Sequence, residues 1–212
     1  MNLKIDMKKL GYIPVADGPK HLLDKSHVML DLETMSQAPD AAVWQIGAAI
    51  WNPSAPDTVM VVELTVHPDD VIKLRYGHVD EATIKWQKEK NTANWSAAYQ
   101  VPMVEGITRG QFVRGVCGLY QSFFNKVIAL LDGKPEDALF WAKSTCFDFP
   151  IAEHLYKQTT QYNLPWKYWN VHELRTFMLL RGIANKSFSH AGGDDAFNQL
   201  NIILREFAHG PN

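Results

Sequence analysis

Regular patterning begins at residue 27. In Val28-Met-Leu-Asp-Leu-Glu33, alternation places Met29, Asp31 and Glu33 on one face and Val28, Leu30 and Leu32 on the other. Such a run predicts a buried strand. A turn region from Ser36 to Asp40, containing Pro39, leads to a second apolar stretch, Ala42 to Trp51. Asn52-Pro-Ser-Ala-Pro-Asp57 is dense in turn residues and precedes a third strand, Thr58 to Val66. Three strands joined by short links predict an antiparallel meander.

Helical spacing then takes over. Asp80 is placed to cap a short helix ending near Lys90, and residues 91–107 read as irregular. Thr108-Arg-Gly-Gln111 matches a capping box opening a long helix from about Arg109 to Leu131. Its apolar residues Phe112, Val116, Leu119, Phe123, Val127 and Leu130 recur every three or four positions, and Gly133 and Pro135 end it. Ala138 to Ala142 predicts a short buried strand, and a fifth is placed near Tyr168 to Val171. Further helices begin near Phe149-Pro150, run from about His172 to Leu180, and run from about Asp194 to Phe207. The last carries Ala196, Leu200, Ile203, Leu204 and Phe207 as its inner stripe. Strands, helices, a strand, then helices imply an α/β fold with a mixed sheet, not a doubly wound parallel one. Residues 1–26 show little periodicity and read as an N-terminal extension to a domain at 27–208.

Composition narrows the classes. The 212 residues suit one domain, and 46% hydrophobic with 21% charged residues supports a packed core rather than disorder. No apolar run approaches the roughly 18 residues of a membrane span. Lys4, Lys8 and Lys9 are followed by no long apolar core, which argues against a secretory leader. Only Cys117 and Cys146 are present, with no disulfide framework, so a cytoplasmic setting is expected. Cys117 falls in a predicted helix and Cys146 in a predicted active-site strand. A net charge of −2 with pI about 6.4 excludes a general nucleic-acid coat protein. It leaves room for a nucleic-acid enzyme in which metal ions offset carboxylates.

The candidate chemistry lies in acids at three separated places. Asp31 and Glu33, at i and i+2 on an apolar strand, lie roughly 7 Å apart. Carboxylates there are costly unless something positive neutralises them. Hard divalent ions prefer such oxygen ligands. Taken singly, each candidate has a plain structural explanation. An Asp-x-Glu pair can face solvent at a strand end, Asp148 can cap a helix before Pro150, and His190 can be a loop residue. Asp194 and Asp195 can simply complement a helix dipole. Convergence of Asp148 and Asp195 on the first pair would instead make a site for two divalent metal ions. Such a site fits phosphodiester hydrolysis.

Asp31-Leu-Glu33-Thr34, Phe147-Asp148 and His190 with Asp195 five residues on resemble, in order and spacing, the three motifs of the DEDDh (DnaQ-like) exonuclease superfamily. Leu30 to Met35, Ala42 to Ala49, Phe147 to Pro150 and Trp169 to Thr176 further resemble two of its groups. These are the phage DexA-like exodeoxyribonucleases and the Rv2179c-like exoribonucleases. The resemblance implies a ribonuclease H-like fold with a five-stranded mixed sheet. It also implies a 3′–5′ exonuclease that releases nucleoside 5′-monophosphates using two Mg²⁺ or Mn²⁺ ions. Asp31 would bridge both ions, Glu33 and Asp195 would complete the tighter site, and Asp148 would act on the second through water. His190 would be the general base, since its ordinary pKa near 6.5 suits proton transfer at neutral pH. Asp194 stays a possible stand-in for Asp195, though the five-residue offset favours Asp195.

On the substrate side, Thr34 and Met35 are expected to contact the terminal nucleotide, and Trp44 and Phe147 to stack on bases. Trp44 reads equally as core. Arg175 is a candidate phosphate or base contact, and Lys143 a phosphate contact. Trp86 with Lys85 and Lys88 reads as a strand-guiding patch or as an ordinary surface helix. Ala191-Gly-Gly after His190 predicts a flexible link. The expected substrate is the 3′ end of single-stranded nucleic acid, with DNA ahead of RNA. Rival readings are a non-cleaving 3′-end binder and an endonuclease on the same fold. The resemblance also implies a possible homodimer, since related small exonucleases often pair, and a setting in the cytoplasm of a bacterium or a phage-infected host cell.

Overall fold

A computed structural model describes residues 3–6, 20–106, 108–160, 162–184 and 190–209. Among these, six strands form one sheet: β1 (Leu3–Asp6), β2 (His27–Thr34), β3 (Val43–Trp51), β4 (Thr58–Thr65), β5 (Leu139–Ala142) and β6 (Val171–Glu173). Their order is β1-β4-β3-β2-β5-β6. β1, β4, β3 and β2 pair antiparallel, whereas β2–β5 and β5–β6 are parallel. All five expected strands are present. β1, drawn from the N-terminal extension, adds a sixth along the β4 edge.

β2 occupies the middle of the sheet, and its two faces behave as alternation requires. Val28, Leu30 and Leu32 enter a large core that also contains Phe112, Val116, Tyr120, Phe123, Phe140 and Ile151. Met29 points the other way, with Ala49, Trp51, Leu174, Leu200, Ile203 and Phe207. Helices α5 (Arg109–Ala129) and α6 (Thr145–Thr159) therefore cover one face. Helices α7 (Leu174–Leu180) and α8 (Gly192–His209) cover the other. The stripe expected on α8 is buried throughout. Full burial of such side chains stabilises by about 1.5–3 kcal/mol each, which is what clamps the helices to the sheet.

Several boundaries differ from expectation. Residues 91–107 are not wholly irregular: α4 (Thr92–Ala98) follows directly on α3 (Glu81–Lys90). Two further short helices are α1 (Lys20–Leu23) and α2 (Pro68–Leu74). α6 starts at Thr145, four residues before the predicted start, with Ser144 at its N-cap and Pro150 inside it. Cys146 is therefore helical and exposed rather than on a strand. Tyr168–Asn170 is a 3₁₀ turn, and the edge strand β6 comes after it. In α5 the capping box at Thr108 and Gln111 is present, but Leu119 is exposed and Tyr120 and Phe124 take the inner positions.

Candidate active site

Three elements carry the acids to one place. β2 supplies Asp31 and Glu33, the first turn of α6 supplies Asp148, and the first turn of α8 supplies Asp195. All four line a single cleft of about 1110 Å³, together with Thr34, Trp86, Lys143, Phe147, Arg175 and His190. Glu33, Asp148 and Asp195 are buried, whereas Asp194 is exposed on the outside of α8. Asp194, considered as a stand-in, does not line the cleft.

Neutral amides hold two of these carboxylates. Gln199 Nε2 donates to Asp31 Oδ1 at 2.7 Å. Gln87 Nε2 and Asn91 Nδ2 donate to Glu33 Oε2 at 3.0 and 3.3 Å. Asn91 Nδ2 also donates to Gln87 Oε1 at 2.9 Å, so the two amides act as one bracket. Burial pushes Asp31 up to about 7, against the pull of Gln199, and Asp195 adds repulsion. Burial likewise pushes Glu33 up to about 8, and Asp31 and Asp195 repel it. Asp148 is raised well above the carboxylate range, again first by burial and then by Asp31. Lys143, half-buried in the same wall, offsets Asp31 in part.

An oxygen-only donor set, desolvated and mutually repelling, fits hard divalent cations. Among the described residues no three of these groups form a ready-made chelate. Magnesium-type ions suit that arrangement, since they take one or two carboxylates and complete the shell with water and substrate phosphate.

His190 enters the cleft from the segment just before α8. Its φ of 56° lies in the left-handed region, a conformation that costs a non-glycine residue about 1–3 kcal/mol and persists only when neighbours enforce it. Its imidazole meets the Trp86 ring edge-on, with centroids 5.3 Å apart.

A family model described as the Rv2179c-like 3′-5′ exoribonuclease domain matches residues 26–205. The chain belongs to that family. Membership makes this a nuclease domain of the 3′–5′ exonuclease class. Among solved structures, the cell-death related nuclease CRN-4 superposes with a TM-score of 0.52 at 13% identity, over 90% of this chain and 66% of that one. The nuclease domain of 3′hExo, a DEDDh family member bound to rAMP, superposes with a TM-score of 0.50 at 11% identity, over 93% and 96%. At these identities the likeness is one of fold, the ribonuclease H-like fold. No curated protein matches the chain.

Within this Rv2179c-like domain two expected substrate residues do not reach the cleft. Trp44 is fully buried, with its ring against Trp95, because β3 points it into the larger core. Met35 is also fully buried, and its backbone N–H and C=O are taken by Ala42 and Asp80. Thr34, Phe147 and Arg175 do line the cleft, and so does Trp86. The sequence reading overlooked the amides Gln45, Gln87, Asn91, Asn94 and Gln199. Faint signals mark three of them: Gln199 sits one helical turn after Asp195, and Gln87 and Asn91 share a face at i, i+4.

The link after His190 is not slack. Its glycines serve close approach: a Cβ built on Gly47 of β3 would fall 2.1 Å from the Gly192 carbonyl carbon. One built on Gly193 would lie 2.7 Å from Glu63 Oε2. Gly192 N donates to Gln45 Oε1 at 2.9 Å and Gly193 N to Glu63 Oε2 at 2.8 Å. The flexible link expected from Ala-Gly-Gly is thus a docked one. Among the described residues no helix is long and apolar enough to cross a membrane.

Proposed function

We propose that this domain removes nucleoside 5′-monophosphates from the 3′ end of single-stranded nucleic acid, with RNA as the preferred substrate. The observation that carries this reading is the meeting of Asp31, Glu33, Asp148, Asp195 and His190 in one cleft. Family membership supports RNA ahead of DNA, the reverse of the order expected from the motifs.

Asp31, Glu33, Asp148 and Asp195 would hold two divalent ions, Mg²⁺ or Mn²⁺. Bound there, the ions supply Lewis-acid stabilisation of phosphate charge and a more acidic attacking water. The protein's own groups do the rest. His190 accepts the proton of the attacking water on its imidazole. Gln199, Gln87 and Asn91 keep the Asp31 and Glu33 oxygens turned toward the cleft. Trp86 and Phe147 offer aromatic faces to the terminal bases, a contact worth about 1–3 kcal/mol per stacked base. Lys143 and Arg175 provide positive charge for the phosphates.

The test uses matched RNA and DNA oligonucleotides, labelled at either end, incubated with Mn²⁺ or Mg²⁺. The expected result is stepwise shortening from the 3′ end with 5′-monophosphate products and faster loss of RNA. Cleavage of circular substrate, or binding without cleavage, would overturn the exonuclease reading. Faster loss of DNA would overturn the substrate preference alone.

A further inference from the structure

Several backbone groups of the turn that carries His190 and leads into α8 have specific partners. The His190 N–H donates to Asp195 Oδ2 at 3.1 Å, and Asp195 N donates back to the Ala191 carbonyl at 2.8 Å. The remaining contacts come from outside the turn. Asn94, on α4, donates Nδ2 to the His190 carbonyl at 2.6 Å and to Gln45 Oε1 at 2.8 Å. Gln45, buried on β3, accepts from Gly192 N through the same oxygen and donates Nε2 to Thr65 Oγ1 at 3.0 Å. Its Nε2 also lies 3.2 Å from Asn94 Oδ1, so the two carboxamides face each other as a reciprocal pair.

The geometry of that pair is demanding. Asn94 holds the carbonyl of the residue whose φ is strained, and Gln45 holds the amide two residues on. Together they fix both sides of the left-handed kink. That kink sets the direction of the His190 Cα–Cβ bond and thus where the imidazole lies against Trp86. Neither residue lines the cleft. α4 touches the site through Asn94 and is otherwise anchored by Trp95 and Ala98 in the core.

We propose that the Asn94–Gln45 carboxamide pair is the positioning device for His190. It transmits the placement of α4 and β3 to the imidazole. This rests on His190 acting as the general base.

The test is a double-mutant cycle in the full chain with a 3′-labelled RNA oligonucleotide and Mn²⁺. It compares wild type, Asn94→Leu, His190→Ala and the double variant. Displacing a catalytic group by about 1 Å can cost up to 10²-fold. Asn94→Leu is therefore expected to lower kcat by about 10-fold or more. KM and the Mn²⁺ concentration giving half-maximal activity should change far less than kcat, because the pair bonds to the His190 carbonyl, the Gly192 amide and Thr65 rather than to the cleft. In the His190→Ala background the same substitution should change kcat by less than about twofold, since nothing is left to position. Equal fold losses in both backgrounds, a change confined to KM or Mn²⁺ dependence, or unchanged kcat would overturn the proposal. Wild-type activity in His190→Ala alone would instead overturn the general-base reading. Thermal melting checks folding, and Asn94→Ala replaces Asn94→Leu in the cycle if the larger side chain prevents it.

Discussion

Asp31 and Glu33 sit where ionisation is expensive: burial lifts them to about 7 and about 8, and Asp195 repels both. A carboxylate kept in such a place costs the fold, as the proposed metal-holding role requires. Asp31→Asn is therefore expected to reduce cleavage at least about 10³-fold while the melting temperature in chelator stays equal to wild type or rises. Retained activity, or a clear fall in melting temperature, would contradict that assignment. His27 makes the opposite kind of statement. Its ring lies fully buried, stacked on Trp141 and edge-on to Trp51 and Phe207, with Nε2 donating to the Leu22 carbonyl at 2.8 Å. Burial holds its pKa down at about 4. A depressed histidine contributes stability that is complete above pH 6.5 and is lost as pH falls toward 4. By linkage that loss is about 3 kcal/mol. His27→Gln keeps a donor for Leu22, and its denaturant-derived stability should be much flatter between pH 7 and 4.5. An unchanged acid slope would remove His27 as the cause.

Elements meet through glycines whose importance depends wholly on what lies opposite. Gly47 on β3 packs against the backbone of Gly192, where any Cβ clashes with atoms that cannot move aside. Gly118, inside α5, faces open space. Gly47→Ala should destabilise by about 3 kcal/mol or more by prising the start of α8, and with it His190 and Asp195, off the sheet. Gly118→Ala should stabilise by about 0.5–1 kcal/mol through backbone entropy and helix propensity. Denaturant unfolding of both variants checks the pair, and matching effects would show that close approach is not what Gly47 provides. The element boundaries show which local signals are trustworthy. The meander, the capping box at Thr108 and the α8 stripe are legible because period and cap chemistry agree over many residues. α4 is not legible: seven residues with only Trp95 and Ala98 buried are too few to display a period. Pro150 reads as a first-turn residue, which sets the predicted start of α6 too late. In the fold it lies inside the helix and gives up one backbone hydrogen bond.

At the scale of the molecule the site is a convergence of both ends of the domain on the strand at its middle. Metal binding should therefore stabilise the whole fold and not only switch on activity. EDTA is expected to abolish cleavage, and Mn²⁺ or Mg²⁺ to restore it. Saturating Mn²⁺ at about 100 times its dissociation constant should stabilise the wild-type protein by about 2.7 kcal/mol and leave Asp31→Asn nearly unmoved. Equal stabilisation of both, seen as a melting shift, would place the ion elsewhere. The chain by itself determined which side chains are candidates for the chemistry, since strand alternation and the order of three short motifs are local properties. It also determined the sheet's core sequence of strands, through their turns and apolar runs. Only the tertiary structure decided that Trp44 and Met35 belong to the core, that Asp195 and not Asp194 faces the cleft, and that amides restrain the acids. The bonds responsible join residues 54 and 168 positions apart, Gln87 to Glu33 and Gln199 to Asp31. Contacts at that separation leave no trace in local periodicity, because they arise from how helices seat on a sheet rather than from the pattern of either one.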